Sequence, residues 1–164
     1  MRFVSTTRVS RRIRAPRARV YAALLDPVAV QQWMVPETMT SEVHTFDARE
    51  GGAFRISLTY DVPTGAGKTS ANTDTFHGRF VRLVPDQEVV QALEFETDDP
   101  AMQGEMTITY RLADAGGETD LTGVHENVPR GVVPEDNELG WRMSIEKLAR
   151  LVERGDVSGR SARR

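Results

Sequence analysis

The feature that most restricts the fold of this chain is a run of short alternating segments that ends in one long amphipathic segment. Alternation of apolar and polar residues predicts strands at residues 7–14, 42–47, 53–60, 76–84, 88–95, 105–112 and 119–128. Gly-Gly and Pro-Asp pairs stand between several of these segments and favour tight turns. Strands this close together, joined by short turns, predict an antiparallel meander.

Three helices complete the predicted set. The first opens at Pro16, and the second follows Asp26-Pro27 and continues through Trp33. The third spans residues 135–154, where one apolar stripe lies within about 60° on a helical wheel, and Gly155 is expected to end it. The stripe consists of Trp141, Ile145, Leu148 and Val152.

A sheet with one apolar face must be covered, and the last helix is the only element large enough to cover it. We therefore predict an α+β fold. In this fold a curved antiparallel sheet of about six to seven strands grips a long C-terminal helix, and two short helices follow the first strand. The chain has 164 residues, of which 39% are hydrophobic, so we expect one domain over residues 1–155. Residues 156–164 have no apolar period and are predicted to form a disordered tail.

The distribution of charge does not define a partner. Residues 1–20 contain arginines and no acid, whereas residues 83–110 contain acids and no base, and the formal net charge is −3. No aromatic pattern accompanies the arginines, so we expect no nucleic acid. Ser10-Arg11-Arg12 resembles an export signal, but the arginines that follow interrupt the required apolar run. No stretch is long enough for a membrane helix, and we predict a cytoplasmic protein with no membrane partner.

One segment partly resembles a phosphate-binding loop of nucleotide-binding proteins. Gly65-Ala66-Gly67-Lys68-Thr69 lacks the earlier glycine of the phosphate-loop pattern, because that position is Val62. A strand rather than a helix is predicted after it. We therefore expect residues 62–73 to be a polar surface loop and predict no nucleotide or other cofactor.

Catalytic and metal signals are weak. The chain has no cysteine, which excludes a cysteine nucleophile and a thiolate metal site. His44, His77 and His125 form no pair at helical spacing, so we predict no metal. The sequence contains no G-x-S-x-G nucleophile elbow, and we assign no catalytic residue. Alternation directs His77 away from Phe76 and favours an interior position for His125.

A curved sheet that grips one helix leaves interior space, because the helix cannot fill the whole concave face. Asn137, Gly140 and Ser144 are small or polar, so the last helix should stand away from the sheet near Trp141 and lie tight near Leu148. We predict a ligand pocket at this gap. Its predicted lining is Trp33, Phe54, Ile56, Phe76, Phe80, Met106, Ile108, His125, Trp141 and Ile145.

The element order resembles the helix-grip fold of the birch-pollen-allergen and START-related (SRPBCC) superfamily. Specific segments are similar to the branch named after the activator of the 90-kDa heat-shock-protein ATPase, and in particular to its single-domain bacterial members. They occur in order over about residues 8–153, and Asn127 stands where that branch usually has glycine. The matching segments are Ala15-Pro16 with Val20-Tyr21, Leu25 to Trp33, Phe46 to Phe54, Phe76 to Arg79 with Pro85, Gly104 to Thr107, His125 to Pro129, and Gly140-Trp141 leading to Lys147-Leu148-Ala149.

The resemblance implies binding of a small hydrophobic or amphipathic molecule between the sheet and the C-terminal helix, without chemistry. Two alternatives stay open. One is an enzyme of the cyclase, aromatase or hydrolase type that uses His125 or a buried carboxylate in the same pocket. The other is a chaperone-interaction or stress-response module, which would need an exposed apolar patch. Leu139 and Met143 lie on the outer side of the long helix and could supply a small contact for a homodimer.

Overall fold

The fold consists of one antiparallel sheet and three helices. A computed structural model describes residues 4–36, 39–60 and 72–162, with no side chains beyond residue 153. The α+β helix-grip fold predicted from the sequence is confirmed. The elements in chain order are β1 (Ser5–Ile13), α1 (Arg17–Leu24), α2 (Pro27–Trp33), β2 (Met39–Phe46), β3 (Ala53–Tyr60), β4 (Thr73–Val84), β5 (Glu88–Phe95), a 3-10 turn (Pro100–Met102), β6 (Met106–Ala115), β7 (Glu118–Val128) and α3 (Pro134–Ala162).

The seven strands follow the order β1-β7-β6-β5-β4-β3-β2, and every neighbouring pair is antiparallel. Strands β2 to β7 therefore form the expected meander, and β1 extends it beside β7. In the β6–β7 turn, Gly116 and Gly117 have φ values of +67° and +92°. Tight hairpin turns need this left-handed backbone, which glycine adopts without steric cost.

Several element ends differ from the sequence prediction. β2 begins at Met39 and β4 at Thr73, each three residues before the predicted start, because both strands pair with β3 along its length: Met39 is opposite Tyr60, and Thr73 is opposite Thr59. The predicted loop over residues 62–73 therefore ends before Thr73, and residues 61–71 lie outside the described part. The helix α3 runs to Ala162 and does not end at Gly155, while the disordered tail stays a prediction.

The two short helices are fixed by local hydrogen bonds. The Asp26 carboxylate accepts a hydrogen bond from the Val28 N–H at 3.0 Å and caps α2, whose first residue is Pro27. The buried indole of Trp33 donates to the Ala23 carbonyl at 2.9 Å. This bond joins the end of α2 to α1, and it satisfies a polar group that would be costly to bury alone.

The helix α3 is anchored through the second half of its described side chains. Ile145, Leu148, Ala149 and Val152 are buried in the core, and α3 packs against β1, α1 and α2. Arg11 of β1 forms a bidentate pair with Glu146 at 2.8 and 3.1 Å. The carboxylate of Glu146 thus joins α3 to the edge of the sheet.

Candidate functional site

A cavity of about 350 Å³ lies between the sheet and the N-terminal half of α3. Strands β2 to β7 form its floor, the end of α2 and the residues after it form one wall, and residues 131–144 form the roof. Its lining is mainly apolar and aromatic. The lining residues are Trp33, Met34, Pro36, Met39, Leu58, Tyr60, Asp74, Phe76, Leu93, Phe95, Met102, Met106, Ile108, Tyr110, His125, Gly131, Val132, Val133, Asp136, Asn137, Gly140, Trp141 and Ser144.

The structure brings six of the ten predicted pocket residues to this cavity. These six are Trp33, Phe76, Met106, Ile108, His125 and Trp141. The small or polar helix positions Asn137, Gly140 and Ser144 also border it, as expected from the gap near Trp141. Whether any of these side chains contacts a ligand stays a prediction.

The other four predicted pocket residues lie in the packed core and do not line the cavity. The rings of Phe54 and Phe80 pack at a centroid distance of 5.3 Å, and Phe46 meets Phe80 edge-on at 5.3 Å. Ile56 and Ile145 are 1% and 3% exposed. Their inward direction was predicted correctly, but other side chains fill the space that they face.

Trp141 forms the roof of the cavity where α3 approaches β7. A Cβ atom built on Gly123 would lie 2.8 Å from Cζ3 of Trp141, so only glycine at this strand position leaves room for the indole ring. The ring centroid lies 5.7 Å from that of Tyr110 and 5.6 Å from that of His125. Trp141 is only partly buried, because one side of it borders the cavity.

His125 is the centre of a buried hydrogen-bond network. Its Nδ1 atom accepts from the indole N–H of Trp141 at 3.2 Å and from the amide of Asn137 at 3.1 Å. Asn137 also donates to the hydroxyl of Thr7 on β1 at 2.9 Å. An indole N–H can only donate, so Nδ1 of His125 must be the acceptor and carries no proton. The proton of the neutral ring is therefore on Nε2, which lies 3.1 Å from Sδ of Met106.

Burial determines the charge of His125. Desolvation lowers the pKa of this imidazole to about 4, so the ring is neutral at pH 7. Its donor nitrogen faces Met106 and its acceptor nitrogen is already bonded. The network therefore holds the roof of the cavity to β7 and β1, and it leaves no lone pair of His125 available to a substrate.

Two tyrosines supply hydroxyl groups at the cavity. Tyr110 is 2% exposed, and burial raises the pKa of its phenol. Its ring packs edge-on against Trp33 at 6.1 Å. Tyr60 lies at the other side, where burial raises its pKa and the carboxylates of Asp74 and Asp136 raise it further. The lining predicted from the sequence did not include Tyr110, although this residue lies on the same face of its strand as Met106 and Ile108.

Several of the other lining residues come from segments without a periodic signal. Met102, Gly131, Val132 and Val133 lie in connections, where alternation predicts nothing. The Gly131 N–H donates to the Ala101 carbonyl at 2.8 Å, and a Cβ on Gly131 would lie 2.8 Å from that oxygen. This close approach of two loops closes one end of the cavity.

The remaining histidines lie outside the cavity. His77 bonds to Glu96 at 2.9 Å, and His44 bonds to Ser57 at 2.8 Å. Among the described residues, no group of three or more His, Asp or Glu side chains could hold a metal ion. The absence of a metal or cofactor stays a prediction. Within the same part of the chain, no helix has the length and apolar character that crossing a membrane requires.

Comparison with solved structures places this architecture among known folds. A protein from Chromobacterium violaceum is 36% identical, with a TM-score of 0.80 over 90% of this chain and 96% of that one. An Arthrobacter aurescens protein is 16% identical, with a TM-score of 0.76 over 91% and 86%. An AHSA1-like protein from Aeromonas hydrophila is 15% identical, with a TM-score of 0.68 over 93% and 94%. No curated protein matches the sequence.

A curved antiparallel sheet that grips a C-terminal helix over a cavity defines the helix-grip class. The sequence profile of one family within it, Activator of Hsp90 ATPase homolog 1-like protein, matches residues 14–153. The chain belongs to this family. The resemblance stated from the sequence segments is thereby confirmed, and the left-handed φ of +59° at Asn127 explains why glycine is usual there.

Proposed function

We propose that this protein binds a small hydrophobic or amphipathic molecule in the cavity beneath α3. The observation that carries the proposal is the cavity itself, whose volume of about 350 Å³ falls within the usual range of ligand sites, roughly 300–1,000 Å³. Its walls contain the methionines Met34, Met39, Met102 and Met106. Methionine is flexible and polarisable, which suits irregular apolar ligands.

The state of His125 favours binding without chemistry over an enzyme that would use this residue as its base. A perturbed ionisable group in a cavity can indicate catalysis, and the pKa of His125 is lowered to about 4. A base of this strength is poorly matched to neutral pH. Its only lone pair also accepts bonds from Trp141 and Asn137. Its geometry is that of a structural residue.

The chaperone-interaction alternative has weaker support. It would need a contiguous exposed apolar surface of a few hundred Å². On the outer side of α3, Leu139 is 54% exposed and Met143 is partly buried. Two side chains supply a small fraction of such a surface, so ligand binding is the function that the geometry supports best.

The test uses the neutral fluorescent probe N-phenyl-1-naphthylamine. The wild type should bind it saturably with one site per chain. Ser144→Leu places an apolar side chain in the cavity and should weaken binding by about tenfold or more, with stability retained because the space is already empty. Glu135→Leu adds the same side chain at an exposed position on α3 outside the cavity and serves as the matched control.

Two outcomes would contradict the proposal. The first is no saturable binding of the probe by the folded wild type. The second is equal binding by wild type and Ser144→Leu, which would place the probe elsewhere. A native mass spectrum of protein purified from its own host would complement the probe, since a retained small molecule would identify the ligand class directly.

A further inference from the structure

The hydroxyl of Tyr110 is a deeply buried polar group that lines the cavity. It has no hydrogen-bond partner in the part of the chain that the structure describes. Among those residues, the side-chain polar atoms that are both sealed and unpartnered belong to Ser5 and Ser41. The Tyr110 hydroxyl is therefore not sealed. Because Tyr110 is only 2% exposed and lines the cavity, its hydroxyl faces the cavity space.

Two neighbouring polar groups of the cavity, His125 and Asn137, already have partners. His125 is neutral, and its Nδ1 atom is bonded to Trp141 and Asn137. Both amide protons of Asn137 are donated, one to His125 and one to Thr7. The phenol of Tyr110 is thus a buried donor without a partner among the described residues, and a buried donor left without an acceptor is costly.

The charge of the described lining residues disfavours one large class of apolar ligands. The described lining residues include the carboxylates of Asp74 and Asp136 and no lysine or arginine. A bound carboxylate would meet no cation among them, and burial of an unpaired charge is expensive. Fatty acids and other anionic amphiphiles are therefore a poor match to these walls.

The shape of the lining near Tyr110 favours a flat ligand. Trp33 meets the Tyr110 ring edge-on, whereas Trp141 is tilted by 37° from it. Aromatic rings gain from offset stacking and edge contacts with other rings. A planar molecule with an oxygen at one edge would use both the ring surfaces and the free phenol.

On the basis of the proposed function, we infer that the ligand is a neutral aromatic compound whose carbonyl or ether oxygen accepts a hydrogen bond from Tyr110. A phenol is a better donor than acceptor, so the ligand oxygen accepts. Tyr110 then decides specificity between ligands of the same shape, because an analogue without the oxygen leaves the phenol unpaired. The lining residues that the structure describes include no lysine or arginine, which discriminates against carboxylates.

The experiment compares three nearly isosteric probes: 2-acetylnaphthalene, 2-isopropenylnaphthalene and 2-naphthoate. Affinities are measured by displacement of N-phenyl-1-naphthylamine. In the wild type, the ketone should bind about tenfold more tightly than the alkene, and the carboxylate should bind most weakly. Tyr110→Phe should remove the advantage of the ketone and retain binding of the alkene. Tyr21→Phe makes the same change outside the cavity and should preserve the advantage.

Equal affinities of the ketone and the alkene in the wild type would overturn the inference. So would an advantage that survives in Tyr110→Phe, or tightest binding of 2-naphthoate. In each of these cases the fluorescent probe still binds and the proposed function stands. If neither the fluorescent probe nor any naphthalene binds, both the proposed function and this inference fall. Melting curves of the two variants verify that each is folded.

Discussion

Alanine substitutions at two positions of α3 should separate tight packing from cavity lining. Leu148 is fully buried, and it lies beside Ala149 and Val152 in the anchored part of the helix. Trp141 lies two turns earlier and is only partly buried over the cavity. Leu148→Ala should therefore destabilise the protein more than Trp141→Ala, although tryptophan is the larger side chain.

The magnitudes follow from the surroundings of each residue. Leu148→Ala creates a new void in packed core and should cost about 3–4 kcal/mol within the usual 2–5 range. Trp141→Ala loses one hydrogen bond, about 1 kcal/mol, and the ring contacts with Tyr110 and His125, about 1 kcal/mol more. Its void merges with existing space, and Asn137 still bonds to His125. We expect a cost of about 2 kcal/mol, less than the 3–5 typical of a packed tryptophan.

Urea unfolding of the wild type and both variants measures these costs, with equal m-values as the sign that the same transition is compared. Binding of N-phenyl-1-naphthylamine is measured in parallel. Trp141→Ala should change probe affinity, and Leu148→Ala should leave it nearly unchanged while the protein is folded. The reasoning is refuted if Trp141→Ala is as destabilising as Leu148→Ala and does not alter probe binding.

Three further expectations concern other parts of the molecule. Arg55 and His77 lower the pKa of Glu96 to about 2. Because the pKa of Glu96 is lower in the folded than in the unfolded protein, its ionised carboxylate stabilises the fold above about pH 4.5, and this contribution is lost as the pH falls toward 2. Acid unfolding of Glu96→Gln should lack that part of the pH dependence. Nitrogen NMR of His125 should show a neutral ring protonated on Nε2 at pH 6, and a charged ring at that pH would contradict the network. Replacement of Thr64–Ser70 by a short Gly-Ser turn should change stability by no more than about 1 kcal/mol, and ATP-dependent stabilisation of the wild type would argue against a simple loop.

The sequence predicted the fold well because apolar alternation marks most of the strands and a helical period marks α3. The bounds of β3 and β5 are those expected from alternation. The starts of β2 and β4 were missed, since pairing with β3 continues through residues that are mostly polar and show no apolar alternation. Gly155 did not end α3, which shows that a glycine alone is a weak stop.

The site was predicted only in part because parity determines which face a side chain occupies but not what fills the space in front of it. Phe54 and Phe76 both point inward from neighbouring strands. Phe54 meets the ring of Phe80, whereas Phe76 borders the cavity. Tyr110 carried the correct parity and could have been found from it. The hydrogen bonds of His125 join three distant segments, and no local pattern reveals them.

The position of β1 in the sheet has a consequence for the synthesis of the chain. Ile13 pairs with Thr119 and Ser5 with Val128, so the first of the seven described strands to be synthesised binds the last of them. The meander from β2 to β6 can assemble as it emerges, but β1 must wait. Such distant pairing slows folding, and an unpaired apolar strand is prone to aggregation in the interval. Arg8, Arg11 and Arg12 of β1 keep the strand charged until β7 is available, and charged side chains commonly protect edge strands from aggregation.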